Sequence, residues 1–332
     1  MGLHCADAVP NHFAIATACV ASHNDAVSNS KPIPSAVSRG RRFRLSLRFS
    51  LRTFLAAVTL FCVTLGWRMH RAKQQCDTVA AIRSAGGWVY YDYDTPDALT
   101  ESVDPVATPW EPAWLLTLVG IDFFHDVTDV QLGFRLNSPP LENFASHLAR
   151  FPRLKSLWVS GPYLDDEGLR TVGRLKRLEL FYWAPVGAIS DDGIAHLRDM
   201  PRLRSIDFRK SQLGDRSLAT LARLPNLESL CMYGNRFTDA GLAVLAGHPK
   251  LKSLRIGGLV ETSPLGDAGV VHLARIPQLE DLGLQYTQVT PEGLKPLQRL
   301  PNLTAIYLQR STADNSVAVA PLFPHCDVYC NQ

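Results

Sequence analysis

The stretch Leu227 to Pro249 reads LESLCMYGNRFTDAGLAVLAGHP. Leu230 and Met232 alternate with Ser229, Cys231 and Tyr233, so one side of a short strand is apolar. Gly234 and Asn235 then turn the chain. Thr238 is a helix N-cap residue, and Asp239 falls in the first turn, where it suits the positive end of the helix dipole. Leu242 and Leu245 carry helical spacing and point the same way. Pro249 ends the unit, and Leu251 opens the next one. Such a unit is a strand, a loop and a short helical segment. It is too small to bury its own apolar side, so it needs neighbours of the same kind.

Neighbours exist on both sides. The second apolar position of L-x-x-L-x-φ falls at Val130, Leu157, Leu178, Ile206, Leu230, Leu254, Leu282 and Ile306. The spacings are 27, 21, 28, 24, 24, 28 and 24 residues. Repeats of 20–29 residues with this skeleton mark leucine-rich repeats. The expected fold is therefore α/β, a solenoid or horseshoe of about eight repeats over residues 127–310. Helix caps are expected at Asp165, Ser190, Gly214, Thr238, Gly266 and Thr290, with Pro291 at a first helical position. An acid follows most of them, at Asp166, Asp191, Asp215, Asp239 and Asp267. Residues 311–332 depart from the pattern and are expected to form a C-terminal cap.

The T-D-x-G-L unit resembles leucine-rich repeats of the cysteine-containing and ribonuclease-inhibitor-like kind, with Asn235 standing where the former carries its cysteine. The longer order resembles bacterial membrane-anchored leucine-rich-repeat proteins over roughly residues 41–332. Its marks are Arg48–Thr53 (RFSLRT), the apolar segment that follows, Ala81–Tyr93 (AIRSAGGWVYYDY) and the lead-in Trp114–Phe124 (WLLTLVGIDFF). The resemblance implies the fold and is silent on function, because such solenoids host many unrelated roles.

Upstream of the repeats the composition changes. The chain has 332 residues and a net charge of +3. Residues 1–75 hold ten Lys/Arg and two Asp, a balance of +8, and the remainder holds 24 Lys/Arg and 29 Asp/Glu, a balance of −5. Arg39, Arg41, Arg42, Arg44, Arg48 and Arg52 precede the apolar run Thr53–Trp67. Taken from residue 49 to Trp67, the run is 19 residues long, near the roughly 20 a spanning helix needs. Arg52 can snorkel to the headgroups, and Trp67 suits an interface. A single transmembrane helix is expected over residues 49–67, contacting the lipid bilayer. Its flank at residues 39–52 is basic and cytoplasmic, and the repeats lie on the far side. No small-residue cleavage site follows Trp67. A nucleic-acid arm would lack the adjoining apolar run, so no nucleic-acid partner is expected. Residues 1–38 read as a disordered tail. Residues 68–126 read as a juxtamembrane helix, a strand at Trp88–Tyr93 and an N-terminal cap made by an apolar helix over Trp110–Phe124.

No catalytic constellation emerges. Asp165–Asp166 and Asp191–Asp192 recur at helix starts, where capping accounts for them. His196, His248 and His272 lie two repeats and one repeat apart, without metal-like spacing. Phosphate-loop, zinc-protease, nucleophile-elbow and dinucleotide fingerprints are absent. Of seven cysteines, only Cys326 and Cys330 are close in sequence. On one strand they would stand roughly 13 Å apart, too far to bond, whereas on a helix they could approach. The reading is a non-enzyme with no cofactor and no metal. Its candidate site is the outward strand face, with Trp158, Phe181, Arg209, Tyr233, Arg255 and Tyr307 as contacts for a protein or peptide partner. The alternatives are a self-associating envelope component or a soluble adaptor.

Overall fold

The computed structural model describes residues 50–93, 109–133, 143–184, 189–258 and 263–330. The expected tail over residues 1–38 and the basic flank up to residue 49 lie outside the described residues. The chain divides into two compact units, residues 1–53 and 54–332. In the first, the described residues open a helix, and the Thr53 hydroxyl donates to the Ser50 carbonyl at 2.7 Å.

That helix, α1, spans Leu51–Ser84. Leu51 to His70 are exposed on every side. By length and composition alone this part of α1 can cross a membrane. Beyond it, Ala72, Gln75, Val79 and Ile82 are buried. Their spacing of three and four puts them on one helical face, which seals the first end of the repeat stack. β1 (Trp88–Tyr91) follows and pairs antiparallel with β2 (Val127–Leu132). Between them, α2 (Ala113–Val119) has no buried residue. Of the expected cap over Trp110–Phe124, Ile121 packs against the core and Glu111 is buried, while α1 and β1 also cover this end, because α1 continues past the apolar run with a second, inward-facing stripe.

From β2 onward all strands run parallel, in chain order, in one sheet of ten strands with β1. They are β3 (Ser156–Ser160), β4 (Leu180–Ala184), β5 (Ser205–Phe208), β6 (Ser229–Tyr233), β7 (Ser253–Gly257), β8 (Asp281–Gly283), β9 (Ala305–Tyr307) and β10 (Asp327–Tyr329). Short helices connect them: α3 (Phe144–Leu148), α4 (Asp166–Val172), α5 (Asp191–Ile194), α6 (Asp215–Leu221), α7 (Asp267–Leu273) and α8 (Ser316–Val319). Tighter 3₁₀ segments replace the helix at Gly241–Leu245 and Lys295–Arg299. The last stretch is a further helix and strand continuing the sheet, with β10 beside β9. Cys326 and Cys330 flank that strand and are free thiols.

One register row forms the spine of the core: Val130, Leu157, Phe181, Ile206, Leu230, Leu254, Leu282 and Ile306. Seven of these positions match the sequence spacing. The eighth is Phe181 in place of Leu178. The correction turns the irregular steps of 21 and 28 into 24 and 25 (157 to 181, then 181 to 206). Leu178 is also buried, one layer earlier, level with Leu154 and Leu203.

The first-turn acids bind across repeats. Asp166 accepts from the Ser190 backbone N–H at 2.9 Å and from its hydroxyl at 2.6 Å. Asp215 does the same to Thr238 (2.9 and 2.7 Å), and Asp267 to Thr290 (2.7 Å each). Asp191 and Asp239 accept from the backbone N–H of Gly214 and Gly266, at 3.0 and 2.9 Å. Each aspartate therefore caps the helix start of the following unit, with charge-assisted bonds to groups a helix end leaves unpaired. The glycine of T-D-x-G has the same origin. A Cβ at Gly193, Gly241, Gly269 or Gly293 would overlap the carboxylate of the preceding repeat. At Ser217, the equivalent position, the hydroxyl donates to Asp191 instead.

The Asn235 side chain fastens a loop: its oxygen accepts from Leu213 N–H, and its amide donates to the carbonyls of Phe208 and Met232, all at 3.0 Å. At the other end His125 is buried between two carboxylates, Nδ1 at 2.7 Å from Asp92 and Nε2 at 2.9 Å from Glu111. Burial alone would lower its pKa. The bonds to Glu111 and Asp92 outweigh that and raise it.

Two outcomes follow. Gly241→Ala should cost about 1–3 kcal/mol through overpacking, and Asp215→Ala in the same chain should recover part of the loss. Strictly additive losses in a denaturant-melt double-mutant cycle would sink the shared-space account. Because the folded His125 pKa is raised, its contribution is complete below the unfolded value and lost as pH rises through the folded one. Melting temperature should therefore fall as pH rises above the ordinary histidine range, and His125→Gln should flatten that slope.

Candidate functional site

Side chains that alternate with the core spine face away from the helices. The row on that face runs Gln131, Trp158, Tyr182, Asp207, Cys231, Arg255, Gly283, Tyr307 and Tyr329, each opposite the next in register. Directly opposed residues of neighbouring strands lie close enough to touch, and here they do. Trp158 and Tyr182 stack with centroids 4.8 Å apart and planes 24° apart. Tyr307 and Tyr329 stack at 4.6 Å and 5°. Arg209, two residues beyond Asp207 on the same face, holds its neighbour with two bonds, Nε to Oδ1 at 2.9 Å and Nη2 to Oδ2 at 2.6 Å. Its guanidinium also lies 5.8 Å from the Tyr182 ring centre. Arg255 lies 4.8 Å from the centre of the Tyr307 ring. Among the described residues no carboxylate lies within ion-pair distance of Arg255, and its Nε is buried without a hydrogen-bond partner.

The neighbouring row runs Asp129, Ser156, Leu180, Ser205, Ser229, Ser253, Asp281, Ala305 and Asp327, with four serines among its nine residues. The result is two aromatic pairs at opposite ends of the sheet, with one neutralised and one uncompensated guanidinium between them. This is a leucine-rich-repeat solenoid.

Comparison with protein-family models gave no match, and comparison with curated proteins gave none. Among solved structures, internalin C2 of Listeria monocytogenes is similar, at 20% identity with a TM-score of 0.46. That match covers 62% of this chain and 81% of that one. A second internalin of the same organism, InlF, is 22% identical with a TM-score of 0.42, covering 62% of each chain. At these values neither likeness bears on the chemistry of this face.

Of the six residues singled out from sequence, Trp158, Arg209, Arg255 and Tyr307 are half-buried on this face. Phe181 is not on it. It is 1% exposed, in the core spine, with Trp183 beside it in the interior. Tyr182 takes the outward position, which the Leu178 register had assigned to its neighbour. Tyr233 faces outward but is 6% exposed. Its ring lies across the sheet, and its hydroxyl reaches Gly283, where a Cβ would collide with it. It is a floor under Arg255 rather than a projecting contact. Cys231 is also covered. Burial, reinforced by Asp207, pushes its thiol up to about 12, which keeps it protonated and a poor nucleophile.

The histidines carry other duties. His248 donates through Nε2 to the Leu224 carbonyl at 3.2 Å, and Nδ1 accepts from Leu251 N–H at 3.1 Å. Burial lowers its pKa, so the neutral ring persists. Among the described residues, no three His, Cys, Asp or Glu side chains gather as metal ligands would.

The register is open to a direct check. Phe181→Ala should cost about 3–5 kcal/mol, as for a fully buried ring. Tyr182→Ala should cost under about 1 kcal/mol. The reverse order in thermal melts would restore the sequence-based register.

Proposed function

We propose that this chain is a membrane-anchored leucine-rich-repeat protein without catalysis of its own, and that it captures a protein or peptide partner on the outward face of its sheet. The carrying observation is the row from Trp158 to Tyr329. Aromatic rings and arginines are the side chains that most often dominate binding energy at interfaces. Here they are already ordered by stacking, so little side-chain freedom is lost on binding. The contacts are Trp158, Arg209, Arg255 and Tyr307, with Tyr182 in the place first given to Phe181 and with Tyr233 as support. The uncompensated Arg255 favours a partner that brings a carboxylate between the two aromatic pairs.

Anchoring rests on the apolar first half of α1, whose Leu51–Trp67 stretch rises about 25 Å, close to a hydrocarbon core of about 30 Å. The surplus of arginine on its N-terminal side supports a cytoplasmic N-terminus and extracytoplasmic repeats. Replacing Trp158, Tyr182 and Tyr307 together by Ala should weaken capture of the partner from solubilised membranes by tenfold or more, about 1.4 kcal/mol at the least, with the melting temperature little changed. Undiminished capture by the folded variant would overturn the reading.

A further inference from the structure

α2 is seven residues long. A helix that short does not persist in water by itself, and this one buries no residue against the repeats. Its outer face is instead the most exposed apolar surface beyond α1. Trp114 and Leu118 are 68% and 76% exposed, and Trp110, four residues before Trp114, is 82% exposed. Within α2 the spacing of four puts Trp114 and Leu118 on one side, and Trp110 stands just ahead of the helix, before the extended Pro112 at its N-cap. The only charged residue between Pro109 and Gly120 is Glu111. Its side chain is 2% exposed and bound to His125, so the outer face of the segment carries no charge.

The position of α2 along α1 is fixed by contacts just after it. Arg68 lies 5.6 Å from the centre of the Phe123 ring. Arg71 bonds Asp126 at 2.5 Å and sits 6.0 Å from the Trp67 ring. Asp122, three residues past α2, accepts from Gln75 at 3.0 Å, so the stretch just after α2 is held along residues 68–75, directly beyond the apolar run of α1. Seven residues extend about 10 Å, so α2 lies within about one helix length of that boundary. Bare tryptophan faces are stable at the boundary between headgroups and hydrocarbon. Exposed Arg68 and Lys73 next to them suit lipid phosphates.

We propose that α2 is an interfacial helix whose Trp114 and Leu118, together with Trp110 just before it, insert into the headgroup boundary of a phospholipid bilayer, a second lipid contact beside the α1 span. This rests on the anchoring proposed above. It holds the repeats against the membrane rather than on a free stalk.

The test uses the full chain in vesicles of phosphatidylcholine and phosphatidylglycerol, some containing a lipid with a nitroxide near the headgroup. Three of the six tryptophans, Trp67, Trp110 and Trp114, are then within reach of the nitroxide. Nitroxide quenching should fall by roughly two-thirds in Trp110→Phe/Trp114→Phe, while circular dichroism and carbonate-resistant retention in the vesicles stay unchanged. A retained chain with undiminished quenching, and with both tryptophans open to aqueous acrylamide, overturns the interfacial helix and leaves the anchor intact. Protection of both tryptophans from acrylamide and nitroxide alike also overturns it, and assigns the face to a second copy of the chain. Loss of the wild-type chain in the carbonate wash overturns the anchor itself, and the interfacial helix with it.

Discussion

The structure depends on one recurring bond, from a first-turn aspartate to the helix start of the next repeat. A repeat of about 24 residues has a strand of three to six residues and barely two helical turns. Neither would persist alone, and burying the apolar side only drives the units together without fixing how far one is rotated on the next. Asp166, Asp191, Asp215, Asp239 and Asp267 supply that missing register. Each satisfies a backbone donor that a helix end otherwise leaves to water, and it does so across the joint between units. The bond dictates its surroundings. The cap must be small or hydroxylated, so Ser190, Gly214, Thr238, Gly266 and Thr290 follow, and the residue three later must leave room for the carboxylate.

A fixed joint on the helical side fixes the strand side. Because successive strands meet in unbroken register, every second residue of each strand falls into a row, and a row is where side chains from distant sequence positions become neighbours. Trp158 and Tyr182 are 24 residues apart in the chain and stacked in space. Tyr307 and Tyr329 repeat the arrangement, starting 149 residues after Trp158 (307 − 158). The residue just before each strand makes a second row whose sign alternates, Lys155, Glu179, Arg204, Glu228, Lys252 and Glu280, with pairs at Arg204–Glu228 and Lys252–Glu280. These pairs are exposed and add little to stability. Their alternation opposes a slip by one repeat, which would set like charges side by side.

Much of this was legible in the sequence. The period, the strand positions in seven of eight repeats, and the identity of the caps follow from spacing and residue chemistry. The exception has a physical cause. In Leu178–Trp183 the apolar residues occupy both alternations, Leu178 with Leu180 and Phe181 with Trp183, so periodicity alone supports either face. The anomalous steps of 21 and 28 were the available cue. Other features were illegible for a different reason. The aspartates read as partners of their own helix dipole, because nothing in one chain position tells which helix start lies nearest after stacking. Tyr233 read as a projecting contact, because its burial depends on Gly283, fifty residues away. The uncharged face of α2 was hidden by Glu111, whose inward turn depends on His125.

The end cap decides how any partner bound to the sheet would be held. α1 is a single helix from Leu51 to Ser84, and no glycine or proline interrupts it after Gly66. Sharp helix kinks need such a residue, an inserted side chain or a bulge. Gln75 secures the second half of α1 through its amide, to Asp122 at 3.0 Å and to the His125 carbonyl at 2.8 Å, while Arg150 donates to Thr78 at 3.0 Å. The segment proposed to lie in the bilayer therefore passes into the cap of the repeats without a hinge. Interfacial seating of α2 would add a second point of attachment beside the first. Two attachments to one rigid cap remove tilting as well as translation, so the row from Trp158 to Tyr329 would face a partner at a fixed height and angle. For a shallow face that carries the half-buried, uncompensated Arg255, that pre-orientation stands in for the depth of a pocket, because it lowers the rotational cost of each encounter.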